Sequence, residues 1–131
     1  MTTELLAPAG GQEALIAAVQ SGADAVYMGF GAFNARRSAR NFSDEEFRAA
    51  VSYCHLRGVK VYLTLNTLVT DRELPALAAE ARTASECGVD AILVQDWGVL
   101  STLQKIIPDV PLHASTQMSL HTLSGVQEAA R

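Results

Sequence analysis

At 131 residues, 49% of them hydrophobic, the chain is long enough to bury one substantial core and is read as a single domain. Ten Lys plus Arg against fourteen Asp plus Glu give a net charge of −4, which offers no electrostatic reason to expect this segment alone to hold a nucleic-acid backbone. The opening MTTELLAPAG lacks a basic stretch followed by a long apolar run, and no apolar window reaches the roughly 18 residues of a membrane span, so a cytoplasmic location without membrane attachment is expected.

The first apolar run, Glu4 to Ala7, reads as a strand. In the following APAGGQEA, Pro8, Gly10 and Gly11 make a tight turn that matches neither GxGxxG nor a P-loop. Ala14, Leu15, Ala18 and Val19 then recur at helical spacing up to Gly22, where the first helix is expected to stop. A second strand, Ala25 to Gly29, leads into the polar loop GAFNARRSARNFS. Ser43, with Glu46 three residues on, predicts a capped helix whose stripe is Phe47, Ala50, Val51 and Cys54 and whose end is Gly58. A third strand, Lys60 to Asn66, precedes a helix striped by Leu77, Ala81 and Ala84 and stopped at Gly88. The fourth strand runs from Ala91 to Gln95, its helix from about Gly98 to Ile107 ahead of Pro108, the fifth strand from Leu112 to Ser115, and a fifth helix from Leu123 to Ala130.

Within this order, SGADAVYMGF at 21–30 and CGVDAILVQD at 87–96 share a Gly, an Asp-Ala pair and an apolar strand, and RGVKVYLTLN at 57–66 is a looser copy. The copies begin 36 and then 30 residues apart, about the length of one strand-helix unit. Continuous apolar strands alternating with helices imply an α/β fold with a parallel sheet covered on both faces. Two architectures fit: part of a (β/α)₈ TIM barrel with about five parallel strand-helix units, which is preferred, or a doubly wound open sheet, which usually carries a Gly-rich phosphate loop after its first strand. Residues 1–131 are accordingly expected to be the N-terminal part of a truncated barrel domain, because no sixth strand follows. Its two outer strands and inner face would then be open, and self-association as a two-fold dimer is expected.

In a barrel the functional groups follow the strands, so polar residues there are the candidates. After the second strand stand Asn34, Arg36 and Arg37, a set suited to hold an anionic ligand and equally readable as a solvated loop. Asn66, Gln95, Asp96, His113, Ser115 and Gln117 follow the third, fourth and fifth strands. His113 and Asp96 are the candidates for proton transfer, and Asn66, Gln95, Ser115 and Gln117 for hydrogen bonding to substrate. The bland alternatives are that Asp96 caps the next helix and that His113 is a satisfied polar group. Cys54 and Cys87 lie in helical segments without partners at metal-ligand spacing, so no metal site is read, and no nucleophilic triad assembles.

Taken together and in order, ELLAPAG, GADAVYMGFGAFNARRSARNFS, KVYLTLNTLVTDREL, GVDAILVQDWGVL and PLHASTQMS resemble the N-terminal region of the collagenase-like peptidase family U-32, most closely its branch involved in hydroxylating a cytidine of ribosomal RNA. The resemblance implies a barrel, and it implies a parent protein acting on RNA or on a peptide. RNA modification is preferred, a collagenase-like peptidase is second and a non-catalytic binding module third. It also implies an iron-sulfur cluster in the full-length parent, held by four cysteines of a signature beyond this region. With two cysteines this segment alone is expected to hold no cofactor and to turn nothing over.

Overall fold

The computed structural model describes residues 2–35 and 42–131. Five strands, β1 (Leu6–Pro8), β2 (Ala25–Gly29), β3 (Lys60–Leu65), β4 (Ala91–Val94) and β5 (Leu112–Ala114), alternate with helices α1 (Gln12–Gln20), α2 (Asp44–Leu56), α3 (Leu74–Cys87), α4 (Trp97–Ile106) and α5 (Leu123–Ala129). The strands pair in chain order and every pairing is parallel.

The register assigns the two faces. Val26 pairs with Val61, Met28 with Leu63, and Leu63 and Leu65 with Ile92 and Val94. These side chains join Leu15 of α1, Phe47 and Val51 of α2, Leu77 and Ala81 of α3 and Val99 and Leu103 of α4 in a single buried cluster. One cluster containing the buried stripes of α1 to α4 means that those helices cover one and the same face of the sheet. Sequential strand order with right-handed crossovers produces that result, whereas a doubly wound sheet would reverse its order and place helices on both sides. The barrel reading therefore holds and the open-sheet alternative does not. The opposite, inner face carries a smaller cluster of Ala25, Tyr62 and Ala91, with Tyr27 and Leu93 packed on it.

Local signals acted as the residues dictate. The Ser43 hydroxyl accepts the Glu46 N–H at 3.2 Å, as the capping pair requires. Gly22, Gly58 and Gly88 have φ of 92°, 71° and 86°, a left-handed conformation that ends each helix without Cβ strain. The first strand is displaced from the expected Glu4 to Ala7. The Leu5 N–H is held by the Asp24 carboxylate at 2.7 Å and regular pairing begins only at Leu6, while Pro8, with no N–H to give, is tolerated on an outer strand. A 3₁₀ turn at Thr116–Met118 after β5 went unforeseen in the apolar-run reading. Among the described residues no helix is long and apolar enough to cross a membrane.

Candidate functional site

A cavity of about 460 Å³ opens at the C-terminal ends of the strands. Its floor is the inner face of the sheet, where Tyr27, Thr64 and Leu93 contribute from β2, β3 and β4. Its walls are the segments that leave β2, β3 and β5, bearing Asn34, Asn66, Ser115 and Gln117. Parallel strands bring these positions to one rim because every strand ends there.

Asn66 ties the rim together. Its Oδ1 accepts the Ala35 N–H at 3.1 Å and its Nδ2 donates to Ser115 Oγ at 3.2 Å, so one amide bridges the segment after β2 to the segment after β5. Ser115 is buried, and its hydroxyl also accepts the Gln117 N–H at 3.3 Å. Asn34 is 1% exposed and Thr64 is buried, its hydroxyl donating to the Met28 carbonyl at 3.2 Å. Gln95 stands at the margin, where Nε2 donates to the Gln117 carbonyl at 3.3 Å. No described lining residue carries a charge at neutral pH. The cavity can hold a neutral, hydrogen-bonding ligand against an apolar floor, and it brings no charged acid or base of its own among the described residues.

The two residues put forward for proton transfer stand apart from that cavity. Asp96 caps α4: its Oδ1 accepts the N–H of Gly98 at 2.7 Å and of Val99 at 3.1 Å, which gives the carboxylate a local structural task. His113 pairs with Leu93 across β4 and β5, an inward position, but it is not part of the cavity lining and stands edge-on to the Tyr62 ring with centroids 5.2 Å apart. Asn66, Gln95, Ser115, Gln117 and Asn34 are thus brought together, and Asp96 and His113 are not part of the same lining. Arg36 and Arg37 lie outside the described residues. Sequence reading missed Tyr27 and Thr64, which were hidden inside apolar strand runs. The available signal was parity, since residues 62, 64 and 66 point alternately with the helix-facing 61, 63 and 65.

Next to the rim, the Glu80 carboxyl of α3 presses against Gly31, whose φ of 64° and missing side chain make room for it. Burial pushes this carboxyl up to about 7; a hydrogen bond from the Ala32 backbone opposes the shift and Asp44 reinforces it. The cysteines offer nothing to a cluster: burial pushes the Cys54 thiol up to about 11 and raises that of Cys87, and they lie on α2 and α3. Among the described residues no three His, Cys, Asp or Glu side chains are grouped to hold a metal ion. The residues present do not fit a four-thiolate cluster.

The model of peptidase family U32 matches residues 10–131. The chain belongs to peptidase family U32. Over 122 residues it is 42% identical to the 23S rRNA 5-hydroxycytidine C2501 synthase of Escherichia coli (strain K12), covering 92% of this chain and 18% of that protein. Over 129 residues it is 33% identical to the collagenase of Porphyromonas gingivalis (strain ATCC BAA-308 / W83), covering 98% of this chain and 31% of that protein. The U32 peptidase Mk0906 shares the fold, with a TM-score of 0.70 at 18% identity over 95% of this chain and 53% of that one. The chain spans less than a third of the length of the curated relatives it matches.

Proposed function

We propose that this U32 chain supplies the substrate-binding part of a protein that hydroxylates a cytidine of RNA. The observation that carries the reading is the neutral, hydrogen-bonding cavity over an apolar floor. A base taken out of its stack is recognised by hydrogen bonds to its edge and by contact with its face, and Asn34, Asn66, Thr64 and Tyr27 offer groups of both kinds. A relative named for 5-hydroxycytidine synthesis at 42% identity supports the same reading.

In this reading the chain binds and orients the base; none of its residues would hold the iron-sulfur cluster that the resemblance implies for a full-length parent, and such a cluster would supply electron transfer. Nucleoside mass spectrometry of ribosomal and transfer RNA, from cells lacking the gene and from cells restored with wild type or Asn66→Ala, tests it. Loss of a hydroxylated pyrimidine, restored by wild type but not by the variant, is expected. Unchanged nucleosides together with cleavage of gelatin by the purified protein would establish the second reading, a collagenase-like peptidase, which the 33% identity to a collagenase favours.

The open inner face supports a further part of the proposal. Among the described residues β1 and β5 each have one neighbouring strand, and Leu6 on the inner face is 41% exposed. The 131-residue chain by itself self-associates through these edges, and light scattering at micromolar concentration reports a dimer; a monomer that binds no hydrophobic dye would contradict this.

A further inference from the structure

Trp97 is the chain's single tryptophan, and half of it is exposed. Its place is fixed. It is the first residue of α4, held between the Asp96 cap and the two N–H groups that the cap binds. Two residues earlier, Gln95 donates to the Gln117 carbonyl in the cavity wall, and Trp97 follows at the start of α4, at the same end of the strands as the cavity. The segment that leaves β3, the hydrogen-bonded neighbour of β4, carries Leu68, which is 69% exposed. Among the described residues the other large exposed apolar side chains are Leu6, which lines the cavity itself, Leu5 beside it at β1, Leu56 at the end of α2, and Leu123 and Val126 on α5.

A neutral cavity of about 460 Å³ suits one small ligand, and a polynucleotide that inserts a single base must leave its neighbouring nucleotides on the rim. An acidic chain with a net charge of −4 draws little affinity from phosphates. Stacking of bases on aromatic rings adds affinity without any requirement for charge or sequence. We infer that Trp97 is the platform on which the nucleotide next to the inserted base stacks. This rests on the RNA reading of the cavity and adds to it a positioning residue outside the cavity.

Because Trp97 is the only tryptophan, its fluorescence reports the contact directly. The probe is an unpaired six-nucleotide RNA with a central cytidine, titrated into the chain. Saturable quenching of Trp97 is expected, with affinity reduced about tenfold or more in Trp97→Ala and mostly kept in Trp97→Phe, followed by competition. Free cytidine, which fills only the cavity, is expected to bind wild type and Trp97→Ala equally. Circular dichroism checks that Trp97→Ala is folded, and Trp97→Lys is a second variant that removes the ring at this exposed position. RNA binding with unchanged Trp97 emission, or with equal affinity in the variants, overturns the inference and leaves the RNA reading standing. Quenching by a collagen-like peptide with no RNA binding overturns both.

Discussion

The same five strands are held at their two ends by different chemistry. At the N-terminal end, carboxylates fasten strand to strand: Asp24, at the entry to β2, accepts the Leu5 N–H at 2.7 Å, and Asp90, at the entry to β4, accepts the Val61 N–H and the His55 ring at 2.8 Å each. Beside them the Tyr62 phenol, pushed up to about 12 by burial and by its bonds to Glu4, donates to both Glu4 oxygens at 3.0 and 2.8 Å. At the C-terminal end the groups that tie the exit of one strand to the next are neutral, Asn66 and Ser115, and they surround a cavity, while the carboxylates there, Asp96 and Glu80, serve the cap of α4 and the segment after β2. Charge is spent on joining backbone at one end; at the other, uncharged donors and acceptors face space that a ligand can fill. Parallel sheets make that division possible, because all strands enter at one end and leave at the other.

The comparison breaks first at Asp90. Asp90→Ala removes the acceptor of a strand N–H and of His55, and a loss of about 2 kcal/mol is expected from chemical denaturation, since hydrogen bonds to charged groups contribute about 1.5–3 kcal/mol and this side chain is partly solvated. Ligand affinity at the cavity is expected to stay unchanged. Asn66→Ala should do the reverse. Two neutral bonds on a partly open rim amount to about 1 kcal/mol of stability, but cytidine binding, followed by calorimetry, is expected to fall at least tenfold as Ala35 and Ser115 lose their common anchor.

A further effect concerns pH. The Glu80 carboxyl has its pKa raised from 4.5 to about 7 chiefly by burial, so the folded state holds this proton more tightly than the unfolded chain does. Its contribution is fully present below pH 4.5 and is lost as pH rises through about 7. Glu80→Gln should therefore flatten the stability profile across that window and gain on wild type at pH 8 relative to pH 5. Parallel melting curves for the two proteins across the window would contradict the assignment.

Much of this was legible in the residues. The Gly-x-Asp-Ala repeat announced the strand-helix unit, and the structure shows what its looser, middle copy at 57–66 does differently. Lys60 stands where Asp24 and Asp90 stand; an ammonium has no lone pair to offer a strand N–H, and it lies 4.0 Å from Glu4 instead. The rim residues Asn66, Ser115 and Gln117 were legible because strands end where apolar runs turn polar. His113 and Asp96 show the limit. Sequence spacing places a residue at a strand end but does not say whether its side chain turns to the cavity, to the helix behind it or to the next layer of the inner face. Asp96 was captured by the nearest free N–H groups of α4, and His113 by the Tyr62 ring. Tyr27 and Thr64 were missed for the opposite reason, since a strand buried on both faces reads as one apolar run and leaves only the alternation along it to mark which residues look inward.

The division between the two ends is tested most directly by amide hydrogen exchange of the chain with and without saturating cytidine. The account predicts added protection at the backbone around Asn34, Asn66, Ser115 and Gln117, with none at Leu5, Val61 or Asp90. Protection at the carboxylate-fastened end, or spread evenly over both ends, would contradict it.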